Sequence, residues 1–112
     1  GGKVEVSNNQ FQNFTDKALS VGEKSIALVQ QNKFTGNIIG IAIKDGSNVY
    51  AKSNIYMNND LDYNLFIKKP FYLNPSLYSS EEVLTEKIII DQGFFYQIND
   101  EELLNEFNRH SN

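Results

Sequence analysis

The chain holds one histidine, His110, and no cysteine, so any imidazole chemistry would have to work beside the C-terminus. A general base or metal ligand needs a held geometry, and chain ends seldom supply one, so His110 reads as a solvated tail residue. The lack of cysteine excludes a disulfide framework, a thiol nucleophile and cysteine-ligated zinc. Asn58, Asp60, Asp62 and Asn64 place oxygen atoms at alternating positions, as a calcium loop begins. That loop needs glycine at its sixth position and glutamate at its twelfth. Counted from Asn58 these are Tyr63 and Lys69, and counted from Asp60 they are Leu65 and Phe71. The stretch therefore reads as a polar loop, and no metal is expected. Glu81-Glu82 and Asp100-Glu101-Glu102 are paired carboxylates in the first turns of predicted helices, where anions oppose the helix dipole. No nucleophile motif, glycine-rich phosphate loop or zinc spacing accompanies them. The expectation is a non-enzyme without cofactors. Asn13-Phe14-Thr15 matches a glycosylation sequon, but Phe14 is assigned to a buried face.

The element expected to position everything else is a helix from Ser7 to about Lys33. At 100° per residue, Phe11, Phe14, Ala18, Val21, Ser25, Leu28 and Val29 share one side, and Asp16, Lys17, Glu23, Lys24 and Gln30 the other. Ser7 and Gln10 fit a capping box. Ala18, Gly22 and Ser25 form a small-residue seam that predicts close packing on a sheet, with Gly22→Leu overpacking it by roughly 1–3 kcal/mol.

The strands of that sheet are read from β-branched runs and turn glycines. Asn37–Ile43 and Ser47–Ala51 flank Lys44-Asp45-Gly46 as a hairpin, with Ile39, Ile41, Ile43, Val49 and Ala51 on the core face and Tyr50 on the other. Tyr63–Lys69 alternates and stops at Pro70. Ser79 with Glu82 suggests a capped short helix. Ile88–Ile90 and Phe94–Tyr96 suggest a second hairpin around Gly93, with Phe95 and Ile89 facing away from the core. Asn99 with Glu102 opens a last helix carrying Leu103, Leu104 and Phe107. No repeat of solenoid length stands out. The expected fold is α+β, a single domain over residues 1–112. A long N-terminal helix crosses an antiparallel sheet of four to six strands, and a short helix ends the chain.

Composition narrows the partners. The net charge is −4, with acids and bases mixed along the chain. No Lys/Arg cluster is present to serve nucleic acid or an anionic membrane surface, and no apolar run is long enough for direct membrane insertion. Gly1-Gly2 reads as a cloning remnant. The compartment stays open, with an extracytoplasmic location preferred if residues upstream of Gly1 were removed. Fourteen Phe and Tyr residues exceed what one sheet face hides. Missing catalytic groups and surplus aromatics together point to a protein-binding module, such as a bacterial envelope ectodomain or a small inhibitor or immunity protein. Its partner contact is expected at Tyr50, Phe95 and Ile89. The alternative is a small-ligand carrier or sensor with a pocket between helix and sheet.

Overall fold

The computed structural model describes residues 1–111. It is a three-sided β-solenoid ended by one short helix, and every strand pairing in it is parallel. The strands are β1 (Lys3–Ser7), β2 (Gln10–Gln12), β3 (Lys17–Val21), β4 (Ile26–Gln30), β5 (Lys33–Thr35), β6 (Ile39–Lys44), β7 (Asn48–Lys52), β8 (Ile55–Met57), β9 (Leu61–Phe66), β10 (Ser76–Ser79), β11 (Ile88–Ile90) and β12 (Phe94–Gln97), followed by α1 (Asp100–Asn108). Successive strands go to successive faces. The first face is ordered β1-β4-β7-β10-β12, the second β2-β5-β8 and the third β11-β9-β6-β3. Coils 1, 2 and 3 are thus β1–β3, β4–β6 and β7–β9. Coil 4 has only β10 and β11, with a 3₁₀ turn at Thr85–Lys87 before β11.

This overturns the α+β expectation. Residues 7–33 form five strands or parts of strands, and no helix crosses a sheet. The sheets are parallel, so neither predicted hairpin exists. β6 and β7 meet at a corner and belong to different faces, as do β11 and β12. Ser79 caps no helix: its hydroxyl accepts from Glu81 N at 3.1 Å and donates to Glu81 O at 2.8 Å. The sequence carries a repeat of 22 or 23 residues. Ile26 pairs with Asn48, Lys33 with Ile55 and Ile39 with Leu61, and corner asparagines bond across the same interval of 22. Each repeat is one coil, and stacking neighbours buries a continuous core.

Inward residues make that core. Ala27, Val29, Val49, Ala51 and Leu77 line the first face, and Ile41, Ile43, Tyr63 and Leu65 the third. Phe11, Phe34 and Tyr56 stack down the second, with centroids 4.8 and 5.3 Å apart. The parity expected for Ile41, Ile43, Val49 and Ala51 is right. Their common apolar face arises because they meet across the solenoid interior and not in a paired ladder.

The corners need left-handed backbone, and they repeat with the coils. Asn8, Gln31 and Ser53 have positive φ at one corner, and Asn13, Gly36 and Asn58 at the next. Lys24, Asp45 and Gly46 do so around the third. Asparagine, aspartate and glycine tolerate this region best. Each of the first two corners also carries a buried asparagine that ties coils together. Asn32 Oδ1 accepts from Asn9 N at 3.0 Å, Asn54 Oδ1 from Asn32 N at 3.0 Å, and Glu81 from Asn54 N at 2.9 Å. At the second corner Asn37 Oδ1 accepts from Phe14 N and Asn59 Oδ1 from Asn37 N, both at 2.9 Å.

Two glycines separate tight from loose packing. A Cβ on Gly40 would lie 2.8 Å from the main-chain oxygen of Asp62 on the next strand. Gly40→Ala is expected to destabilise by roughly 1–3 kcal/mol through forced backbone shift. A Cβ on Gly22 would meet only the flexible Lys44 side chain. Gly22→Ala should therefore stay within about 0.5 kcal/mol of the parent, and the seam argument for Gly22→Leu lapses with the helix. Equal melting temperatures for the two variants would contradict this contrast.

Helix α1 lies on the outer surface of the first face. Asn99 caps it, its side chain accepting from Glu102 N, as the sequence leads one to expect. Leu103 and Phe107 are buried against Leu28 and Tyr50, with Leu104 alongside.

Candidate functional site

The three expected contact residues do not form one surface. Tyr50 points outward but lies under α1 at 1% exposure. Its ring stacks on Tyr78 at 4.7 Å and meets the edge of Phe107 at 5.8 Å. Its hydroxyl bonds His110 Nε2 at 2.9 Å, so the lone histidine is tethered and does not trail in solvent. Phe95 pairs with Leu77 and packs against the core. Its neighbours Phe94 and Tyr96 take the exposed outer positions of β12. Ile89 is exposed on the third face. The oxygen-rich stretch also disperses. Asn58 turns a corner, Asp62 accepts from Asn59, and Asn64 donates to Ile89 O and Asp91.

One buried polar cluster has an acid–base character that the sequence did not signal. At the foot of the first asparagine ladder Glu81 accepts from Asn54 and from Tyr56 Oη at 3.3 Å, and Tyr56 Oη contacts Tyr63 Oη. Burial pushes Glu81 above the usual carboxylate range against the bonds from Asn54, Tyr56 and Tyr63, and it raises both tyrosines strongly. Both phenols stand inside the solenoid wall, so the cluster acts as the ladder's terminal acceptor. A carboxyl raised in the folded state binds its proton more tightly there than in the unfolded chain. Its contribution to stability therefore rises as pH falls through the folded pKa towards the unfolded one. Glu81→Gln should remove that component, so denaturant midpoints of parent and variant should diverge across the mildly acidic range. Parallel midpoints would show that Glu81 titrates like a free carboxylate.

A groove of about 400 Å³ runs over the first corner, lined by Asn8, Asn9, Gln31, Asn32, Lys33 and Ile55. The Asn32 amide, which would be its deepest polar group, is spent on Asn9, Asn54 and Val6 O. The groove is a by-product of the ladder.

The remaining feature is the rim of coil 1. β1, β2 and β3 each stand at an edge of their sheet, all at the same end. Among the described residues the core is less covered there. Ala27, Val29, Phe34 and Ile41 are at 0% exposure in coil 2, whereas Val4, one coil above Ala27, is 49% exposed. Val6, Phe11 and Leu19 are only partly covered, and Phe14 is 45% exposed beside them. The asparagine ladder stops unfinished as well. Asn9 Nδ2 turns back to Ser7 O at 3.0 Å, where Asn32 and Asn54 each donate to a carbonyl of the coil above at 2.8 Å. Among the described residues Asn9 Oδ1 accepts nothing. Edge strands with an apolar flank are templates for strand addition. Comparison with known protein families, characterised proteins and solved structures finds no match for this chain.

Proposed function

We propose that the chain is a non-catalytic protein-binding module that takes a partner's extended segment onto the rim of coil 1. The supporting observation is the half-covered core end at Val4, Val6, Phe11 and Leu19 beside three edge strands. Main-chain bonds to β1 would supply affinity, and the apolar flank with Asn9 would supply register. Lys3, Glu5 and Lys17 on the same edges disfavour indiscriminate pairing. An envelope ectodomain and an inhibitor or immunity protein both suit such a module. The small-ligand alternative loses its pocket, because no helix covers Ala18, Gly22 and Ser25.

The test places a photo-crosslinking phenylalanine at Phe14, or at Ile55 as a control, in cells that make the protein. A discrete protein adduct from position 14, absent from position 55 and lost with Val4→Asp, is expected. Val4 is about half covered, so Val4→Asp should cost no more than about 1–2 kcal/mol and leave the domain folded. Failure of position 14 to capture more than position 55 would sink the proposal.

A further inference from the structure

At the third corner the fold assembles a basic and apolar surface that the linear sequence scatters. Coils 2 and 3 are 22 residues apart, but the passage between β9 and β10 is longer, and β7 pairs with β10 as Asn48 with Ser76. The extra chain, residues 67–75, carries Phe71 and Leu73, exposed at 81% and 76%. These are the most exposed of the large apolar side chains among the described residues. The loop is held firmly at its base, because Asp45, itself 1% exposed, accepts from Lys68 N at 2.8 Å and Lys69 N at 3.0 Å.

The corners stacked beside it contribute cations. Lys24 N donates to Asp45 O at 2.9 Å, which brings the Glu23–Lys24 corner alongside. Lys24 Nζ sits 5.8 Å over the Tyr72 ring, and the Lys44 stem lies against Gly22. Lys24, Lys44, Lys68 and Lys69 are four of the chain's ten basic residues. Glu23 pairs with Lys69, and the Asp45 carboxylate is spent on the loop's main chain. Lys24, Lys44 and Lys68 have no carboxylate within ion-pair distance among the described residues.

The lysines of the stacked corners thus flank a loop in which Tyr72 meets Lys24 and the Phe71 and Leu73 side chains are left exposed. That combination matches a bilayer surface, where anionic headgroups meet cations, tyrosine sits at the interface and apolar side chains enter the acyl boundary. We propose that this corner is a docking site for an anionic lipid surface, with Phe71 and Leu73 entering the interface and no segment spanning it. An acidic protein would match the lysines, but it would not account for the two large apolar side chains left exposed beside them.

The chain has no tryptophan, so Phe71→Trp creates a single fluorescent reporter, and Ile55→Trp on the second face is its control. With vesicles of equal parts phosphatidylcholine and phosphatidylglycerol, the reporter at position 71 should shift to the blue and be quenched by brominated acyl chains. The control should not respond. Vesicles of phosphatidylcholine alone, or high salt, should abolish the shift. In the otherwise native chain, Phe71→Ser/Leu73→Ser should reduce partitioning onto anionic vesicles at least roughly 10-fold. Lys24→Gln/Lys68→Gln should do so roughly 10-fold or more. An unshifted reporter at position 71, or equal shifts at both positions, would overturn the proposal. The loop would then be a contact for a protein groove.

Discussion

Tyr50→Ala is expected to lower the stability of the domain by roughly 3–5 kcal/mol, the usual cost of deleting a buried aromatic ring. Tyr50 is the centre of the second apolar cluster, touching Leu28, Tyr78, Leu103 and Phe107. Truncation opens a cavity between sheet and helix and removes the hydroxyl that holds His110. The α1 helix is short and isolated, and helices of this length owe their stability to packing. Amide exchange over residues 100–108 should therefore accelerate more than exchange in β6. Chemical denaturation measures the first effect and hydrogen exchange the second. A loss under about 1 kcal/mol would mean that α1 does not rest on this ring. An uncovered ring at this position would give a change of only about 0.5 kcal/mol.

Asn59→Ala is expected to cost about as much, for a different reason. Its Oδ1 accepts from Asn37 N and Nδ2 at 2.9 and 3.0 Å, and its Nδ2 donates to Phe34 O at 3.0 Å. Both asparagines are buried at 1% exposure. Alanine strands a main-chain donor and a main-chain acceptor where water does not reach, at roughly 1–3 kcal/mol each. A total of roughly 2–6 kcal/mol follows from those two groups. Asn9→Ala, at the exposed end of the other ladder, leaves the Asn9 main-chain donor on Asn32 intact and should cost no more than about 1 kcal/mol. Equal losses at Asn59 and Asn9 would show that the ladders do not depend on burial.

The positions of β6, β7, β9, β11 and β12 were legible in the sequence, and their partners were not. β-branched runs mark β6 and β11, and the capped last helix begins where Asn99 and Glu102 place it. Turn glycines locate corners at Gly46 and Gly93, yet a solenoid corner and a hairpin turn use the same left-handed residue. What differs is the partner, which lies one coil away. Residues 7–33 imitate a helix because the coil sends side chains inward from short strands broken by corners. Phe11 comes from β2, Phe14 from a corner and Val21 from β3, so their spacing falls near three and four without helical turns. The decisive pattern was Asn9, Asn32 and Asn54 beside Phe11, Phe34 and Tyr56. It is easily missed because coil 4 is irregular and replaces the asparagine with Glu81. The lysine corner was illegible in principle, since only stacking brings Lys24, Lys44 and Lys68 together.

Helix α1 also carries the chain's end back to its beginning. Lys3 Nζ donates to His110 O at 2.8 Å and stands 4.6 Å over the Phe107 ring. A stack of repeats in which each coil touches only its neighbours can fray from either end, one unit at a time. Here the terminal segment is buckled to the first strand across β4 and β7, and the one-dimensional array becomes a closed circuit. Peeling the first coil breaks the clasp, and undocking the helix loosens the first coil. The two ends should melt together, so that a molecule built like a spring unfolds like a globule.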